Sequence, residues 1–172
     1  VIGNHDEMMV LYSQYLETDR QHEDLKYWLF KCGGEATLNS YSSQKKFYEH
    51  IEYLKSLPHY IEYKDYKTLD NRYLVVSHST VGKMWNLRNS TNKDDVEEFN
   101  EFVNWSRWKN HDNEDIFNVY GHTIFQEPLL NDYSCGIDLG CFYKNKEKLA
   151  NPRLCALEFP SMKIYTQESL EN

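Results

Sequence analysis

The hydrophobic positions in the first third of the chain recur at helical spacing. Between Glu7 and Glu17 an apolar side chain follows every few residues on one face, which is typical of an amphipathic helix. The same spacing predicts a second helix over residues 23–30, which we expect Gly33-Gly34 to end because glycine tolerates the backbone of a helix C-terminus. We interpret the polar run before the first helix, Gly3 to Glu7, as a tight turn.

Two further helices are predicted by the same period. Ser42 or Ser43 is expected to cap the first of them, because a side-chain hydroxyl accepts a bond from a free N–H of the first turn. Pro58 stops that helix. The second is the charged segment from Asp94 to Trp108, in which apolar residues recur at helical spacing.

The period changes after Pro58 to one that favours strands. Residues 60–66 and 73–76 are rich in aromatic and β-branched residues, and the turn between them predicts a hairpin. Two later strands are predicted at residues 116–120 and 135–138.

The chain closes with a predicted terminal hairpin. Its strands, 154–159 and 162–166, turn at Pro160-Ser161. Helices early and strands late favour an α/β sandwich in which sheets pack under helices. Since 172 residues is the size of one domain, we expect residues 1–172 to form a single domain.

Charge and composition narrow the function classes. The formal net charge is -8, and no run of Lys and Arg outweighs it locally, which argues against a nucleic-acid-binding surface. No apolar stretch has the length of a membrane span and no signal-peptide pattern opens the chain. The cysteines form no C-x-x-C pair, and we interpret them as reduced thiols. We therefore expect a soluble, cytoplasmic protein.

Three polar side chains follow apolar runs, each at the expected end of a strand: Asn4, His78 and His122. Together they offer a mixed nitrogen and oxygen ligand set, which suits Mn²⁺, Fe or Zn²⁺ better than Ca²⁺ or Mg²⁺. His5 adds an imidazole that carries a proton near neutral pH. The combination indicates metal-assisted phosphoester chemistry.

The order of the motifs along the chain resembles a known family. Gly3-Asn4-His5-Asp6, Val76-Ser77-His78, Tyr120-Gly121-His122-Thr123 and Ile137-Asp138-Leu139-Gly140-Cys141 look like the metallophosphatases of the phosphoprotein phosphatase family, in the calcineurin-like superfamily. The segment 28–41 resembles the bacterial and phage branch, which includes lambda-type protein phosphatases and diadenosine tetraphosphatases. The resemblance implies a calcineurin-like sandwich of two mixed β-sheets flanked by α-helices.

The resemblance also implies roles for individual residues. Asn4, His78 and His122 match three ligands of the second ion in a two-metal centre, for which Mn²⁺ is preferred over Fe or Zn²⁺. His5 matches the imidazole that protonates the leaving oxygen. Arg107, in Asn104-Trp105-Ser106-Arg107, looks like the family's Trp-x-Arg element, whose guanidinium binds phosphate oxygens as a planar fork.

Two family motifs are not found in the printed sequence. The family has an Asp-x-His pair and a Gly-Asp-x-x-Asp-Arg run before its Gly-Asn-His turn, and these carry the private ligands of the first metal, the bridging carboxylate and a second phosphate-binding Arg. We therefore expect the chain to begin in mid-domain and, alone, to have little activity and weak metal affinity. An upstream or complementing N-terminal segment would supply the missing ligands.

The resemblance implies a metal-dependent phosphatase acting on phosphoserine, phosphothreonine or small phosphoesters. One alternative is a dinucleoside polyphosphate hydrolase, in which a base stacks on Trp85, Trp105 or Trp108, although a helix aromatic is more often a core residue. A truncated relative without catalysis, acting as a binding module, is an alternative of a different class.

Overall fold

The computed structural model describes residues 1–108, 113–143 and 149–170. The chain divides into two compact units. One is the helical unit, Ile2–Pro58, and the other, here called the sheet unit, comprises Val1 and His59–Asn172. Within the described ranges, no helix combines the length and the apolar character needed to cross a bilayer.

The helical unit contains five described helices. They are α1 (Asn4–Tyr12), α2 (Tyr15–Thr18), α3 (Glu23–Lys31), α4 (Gly34–Asn39) and α5 (Gln44–Lys55). The helix predicted between Glu7 and Glu17 is thus two helices, of which the first already begins at Asn4. Asn4 and His5 therefore lie in the first helical turn rather than in a turn before it, and the Asp6 carboxylate accepts a bond of 3.0 Å from the Gly3 N–H.

The two capping predictions in this unit have different outcomes. Ser43 is the N-cap of α5, and its hydroxyl accepts a bond from the Lys46 N–H at 3.3 Å. Gly33 lies in the left-handed region with φ 81°, as expected after α3. Gly34 does not terminate a helix, however, because it is the first residue of α4.

One apolar cluster forms the core of the helical unit, and it draws on α1, α3 and α5. Its buried members are Met8, Met9, Leu25, Trp28, Phe47 and Ile51. Burial of these side chains holds the short helices together.

The sheet unit contains seven described strands and two helices. The strands are β1 (Tyr60–Lys67), β2 (Tyr73–Ser77), β3 (Ile116–Tyr120), β4 (Leu129–Leu130), β5 (Ser134–Gly136), β6 (Arg153–Glu158) and β7 (Lys163–Glu168). A 3₁₀ helix, Gly82–Asn89, and α6, Lys93–Trp105, follow β2.

Five strands form one mixed sheet in the order β1-β2-β3-β5-β4. The central pairs, β2 with β3 and β3 with β5, are parallel, and the outer pairs are antiparallel. The second described sheet is the antiparallel hairpin of β6 and β7. Both predicted hairpins and the α/β class are confirmed, but the second sheet has two antiparallel strands where a mixed sheet was expected.

Both faces of the central strand β3 are buried, as its run of five buried residues requires. On one face Ile116 joins Val75, Trp85, Phe99 and Val103. On the other face Phe117, Val119 and Cys135 form a second cluster. The side chains of the 3₁₀ helix and α6 thus cover one side of the sheet and fix the loops that leave β2 and β3.

Candidate functional site

Two histidines meet at the carboxyl ends of adjacent parallel strands. Val76 of β2 pairs in register with Val119 of β3, and His78 and His122 follow these residues by two and three positions. The His78 Nε2 atom lies 3.0 Å from the His122 Nδ1 atom, and the ring centroids are 4.9 Å apart. The structure therefore brings these two predicted residues together, and their metal-binding roles stay predictions.

The loop after β2 is fixed by buried hydrogen bonds on both sides of His78. The Ser79 N–H donates to the Val103 carbonyl at 2.8 Å, and its hydroxyl donates to the same oxygen at 2.9 Å. The Asn118 amide, fully buried in the middle of β3, accepts from the Val81 N–H at 3.0 Å and donates to the Ser77 hydroxyl at 2.9 Å. Asn118 thus ties the His78 loop to the next strand.

The loop after β3 is equally constrained. His122 has a φ of 64°, a conformation that costs a non-glycine residue energy and that neighbouring bonds must hold in place. The Gly121 N–H donates to the His78 carbonyl at 2.9 Å, and the Thr123 N–H donates to the Gly121 carbonyl at 2.7 Å. The strained backbone turns the His122 ring toward His78.

A third parallel strand brings Asp138 to the same edge. The Ile137 N–H donates to the Tyr120 carbonyl at 2.9 Å, which continues the β3–β5 pairing up to the residue before Asp138. The Asp138 carboxylate accepts from the Gly140 N–H at 2.9 Å, so it shapes its own turn. Gly140, with φ 63°, takes a conformation that favours glycine.

These strand ends line a cleft of about 380 Å³, to which His78, His122, Asp138, Cys141, Arg153 and Cys155 contribute. We call it the strand-end cleft. Burial raises the pKa of Tyr120, another lining residue, to about 12, and it also raises the pKa of Cys155. Both side chains are therefore neutral at pH 7. Among the described lining residues, the carboxylate comes from Asp138 and the guanidinium from Arg153.

Arg107, two residues after the end of α6, lies beside the backbone of His122. Its Nη1 atom lies 3.5 Å from the His122 carbonyl oxygen, and the side chain is exposed. The guanidinium is therefore beside the loop that carries His122, and solvent or a ligand has access to it.

Arg153 and Asn118 are site residues that the sequence pattern did not single out. Arg153 opens β6, far along the chain from the histidine motifs, and isolated bridges to Leu139 and Gly140 connect it to the loop beside the cleft. An Arg at the start of a strand and an Asn inside an otherwise apolar strand are the signals that could have identified them, since buried positions seldom hold such polar groups.

Asn4 and His5 lie together at the start of α1 in the helical unit. Asn4 is 6% exposed, whereas the His5 side chain is open to solvent. Residues 1–3 belong to no helix or strand of the described structure, so Asn4 follows no strand there, contrary to the expectation. Their predicted roles as ligand and proton donor stay predictions.

The strand-end cleft contains two imidazoles, which are the side chains that a divalent transition metal would bind there. The 3.0 Å between His78 Nε2 and His122 Nδ1 is a hydrogen-bond distance, and which ring donates depends on the tautomers of the two histidines. Within the described ranges, no cluster of three or more His, Cys, Asp and Glu side chains is arranged to hold a metal ion. A metal ion held by this histidine pair would therefore need further donors.

No family model matches the chain, and no curated protein matches it. The assignment of function therefore depends on the geometry of the strand-end cleft and on the motifs of the sequence.

Proposed function

We propose that the protein is a metal-dependent phosphoester hydrolase with a calcineurin-like fold. The observation that carries the proposal is the close approach of His78 and His122 at the ends of two adjacent parallel strands. Open α/β sheets bind ligands at the carboxyl ends of their strands. The order of motifs in the sequence supports the same reaction.

His78 and His122 would hold one of two divalent ions, with Asn4 as the oxygen donor that the resemblance adds. Mn²⁺ is the preferred ion, with Fe and Zn²⁺ as alternatives, because imidazole and amide ligands together suit these metals. Bound ions of this kind activate a water molecule and stabilise the charge on phosphoryl oxygens. The buried bonds from Asn118 and Ser79 would keep His78 in its orientation while substrates exchange.

Arg107 is the proposed phosphate-binding residue. Its guanidinium lies beside the His122 loop and offers parallel N–H donors that match two phosphoryl oxygens. His5 is the proposed proton donor to the leaving oxygen, a role that its exposed side chain allows because a substrate has access to it. The proposed substrates are phosphoserine or phosphothreonine proteins and small phosphomonoesters.

Metal binding and turnover test the proposal separately. Mn²⁺ affinity is measured for the printed chain, for His78→Ala and for His122→Ala, with His50→Ala as the control because His50 is an exposed residue of α5. We expect weak Mn²⁺ binding that both cleft variants lose and the control keeps.

Turnover of p-nitrophenyl phosphate is then measured with Mn²⁺, for the printed chain and for the chain supplied with an Asp-x-His and Gly-Asp-x-x-Asp-Arg segment. We expect little activity from the first and clear activity from the second. Strong activity of the printed chain would contradict the need for the segment. If the chain binds phosphate but shows neither metal binding nor turnover, with or without the added segment, the hydrolase proposal is wrong and the binding-module alternative is supported.

A further inference from the structure

Arg153 is a buried cation at the strand-end cleft. It is 7% exposed, and it lines the cleft that also contains His78, His122 and Asp138. Its backbone N–H donates to the Leu139 carbonyl at 3.3 Å, which attaches the start of β6 to the loop that follows Asp138. This backbone bond therefore holds Arg153 beside the cleft, whatever its side chain binds.

The ion pair of Arg153 is asymmetric. Nη2 bonds the Glu127 carboxylate, and Nη1 donates to the Asn151 carbonyl at 3.1 Å. The Arg153 side chain is 8% exposed, but the Glu127 side chain is 77% exposed. Water screens and solvates an exposed carboxylate, so Glu127 is a weakly held partner that another anion can replace.

An anionic substrate needs local positive charge on this protein. The net charge is -8, and Asp138 places a carboxylate at the cleft. Arg107 supplies one guanidinium from the end of α6. Arg153 lines the cleft itself, and a desolvated cation attracts an anion more strongly than an exposed one does.

The geometry points to Arg153 as a second anion-binding residue of the strand-end cleft, where a phosphate group of the ligand displaces the carboxylate of Glu127. This inference rests on the proposed function and adds a residue to it. Glu127 occupies the guanidinium in the free protein and competes with the ligand. Arg153 is then the cationic side chain that holds the phosphate inside the cleft.

Inorganic phosphate is the probe, and NMR of the uniformly labelled chain without metal is the measurement. Gly121 and Gly140 lie in the two loops that border the cleft, so their amide signals report on binding there. We expect saturable shifts of these signals in the native chain. Arg153→Gln should weaken phosphate binding by about tenfold or more, since hydrogen bonds to charged groups contribute that much.

Glu127→Gln distinguishes anion binding from a structural ion pair. The exposed Glu127 side chain tolerates the change, and loss of its charge should tighten phosphate binding by about threefold, because one competitor is weakened. Arg20→Gln, at an exposed Arg of the helical unit, is the control and should have no effect.

Two results would overturn the inference. One is absence of phosphate-dependent shifts at Gly121 and Gly140 in the native chain. The other is a phosphate affinity that neither Arg153→Gln nor Glu127→Gln changes, with a lower melting temperature for both variants, as a structural ion pair would give. Since the titration uses neither metal nor turnover, its failure is distinct from failure of the proposed hydrolase.

Discussion

His78 Nε2 and His122 Nδ1 lie 3.0 Å apart although the two histidines are 44 positions apart in the chain. The parallel pairing of β2 with β3 explains the contact, because Val76 and Val119 are in register and both strands end just before their histidines. The site is thus a product of sheet topology, and side chains that share no local sequence meet at one edge.

His5→Ala and His122→Ala should separate proton donation from metal binding. In a metal-loaded active form, His5→Ala should lower kcat by about 10²-fold or more, the usual contribution of a general acid, and should leave the metal content nearly unchanged. His122→Ala should lose metal and activity together. Metal analysis alongside steady-state kinetics measures both, and equal metal loss in the two variants would contradict the assigned roles.

Substitution of Trp85 and of Trp108 should have different effects on stability and turnover, because Trp85 is buried and Trp108 is exposed. Trp85 is 3% exposed and packs in the sheet-unit core, whereas Trp108 is 56% exposed. Trp85→Ala should cost about 3–5 kcal/mol in unfolding free energy, as large-to-small core changes do. Trp108→Ala should keep stability and phosphopeptide turnover, and lower only diadenosine tetraphosphate turnover, because stacking on a base involves an exposed ring.

Urea unfolding and the two substrates measured side by side test this pair. The structure corrects the expectation that Trp85 could stack on a base, since its ring is covered by the core and by Arg88, whose guanidinium carbon lies 3.8 Å from the ring centroid. Loss of phosphopeptide turnover in Trp108→Ala would show that Trp108 has a more general role.

Local sequence patterns predicted the secondary structure well where it depends on residues that are close together in the chain. The hairpins of β1–β2 and β6–β7 follow from alternating residues and short turns. Gly33-Gly34 shows where such reasoning fails. A Cβ on Gly34 would lie 2.6 Å from Cδ2 of Trp28, so this glycine meets a packing requirement of α4 against α3 that no local pattern reveals.

The candidate site was predictable to a similar degree. Polar residues after apolar runs identified His78 and His122, because the end of a strand is a local property. Asn118 and Arg153 were not identified, since their importance depends on which strands become neighbours. The hydrogen bond from Val81 to Asn118 joins residues 37 positions apart, and sequence spacing alone gives no indication of it.

Asn118→Ala should destabilise the sheet unit and loosen the His78 loop. The substitution leaves the Val81 N–H without its buried acceptor, which costs about 1–3 kcal/mol for an unsatisfied buried group. The Ser77 hydroxyl loses the Asn118 donor but keeps its own bond to the Ser79 carbonyl. Mn²⁺ affinity should fall as well, although Asn118 is no ligand. Asn86→Ala, at an exposed position, is the control, and urea unfolding measures stability. Unchanged stability would exclude the positioning role.

The ion pair of Glu62 with Arg88 should make the stability of the sheet unit depend on pH in the acid range. Glu62 Oε1 lies 3.2 Å from Arg88 Nε, and each side chain is 15% exposed. Burial by itself raises the pKa of Glu62, but hydrogen bonds from Arg88 and Lys64 outweigh it, so the pKa is lower than the ordinary 4.5. The unfolded chain therefore binds the proton more readily than the folded chain does.

Stability from this pair should be complete above the unfolded pKa of about 4.5 and should decline as pH falls through the lower folded value. Glu62→Gln should remove that part of the pH dependence, because glutamine does not titrate. Unfolding free energies of the native chain and the variant, measured from pH 7 down to about pH 3, test the sign. Glu98→Gln, at an exposed residue of α6, is the matched control. Parallel pH profiles for native chain and Glu62→Gln would contradict the proposed pairing, since the carboxylate would then have the same proton affinity in both states.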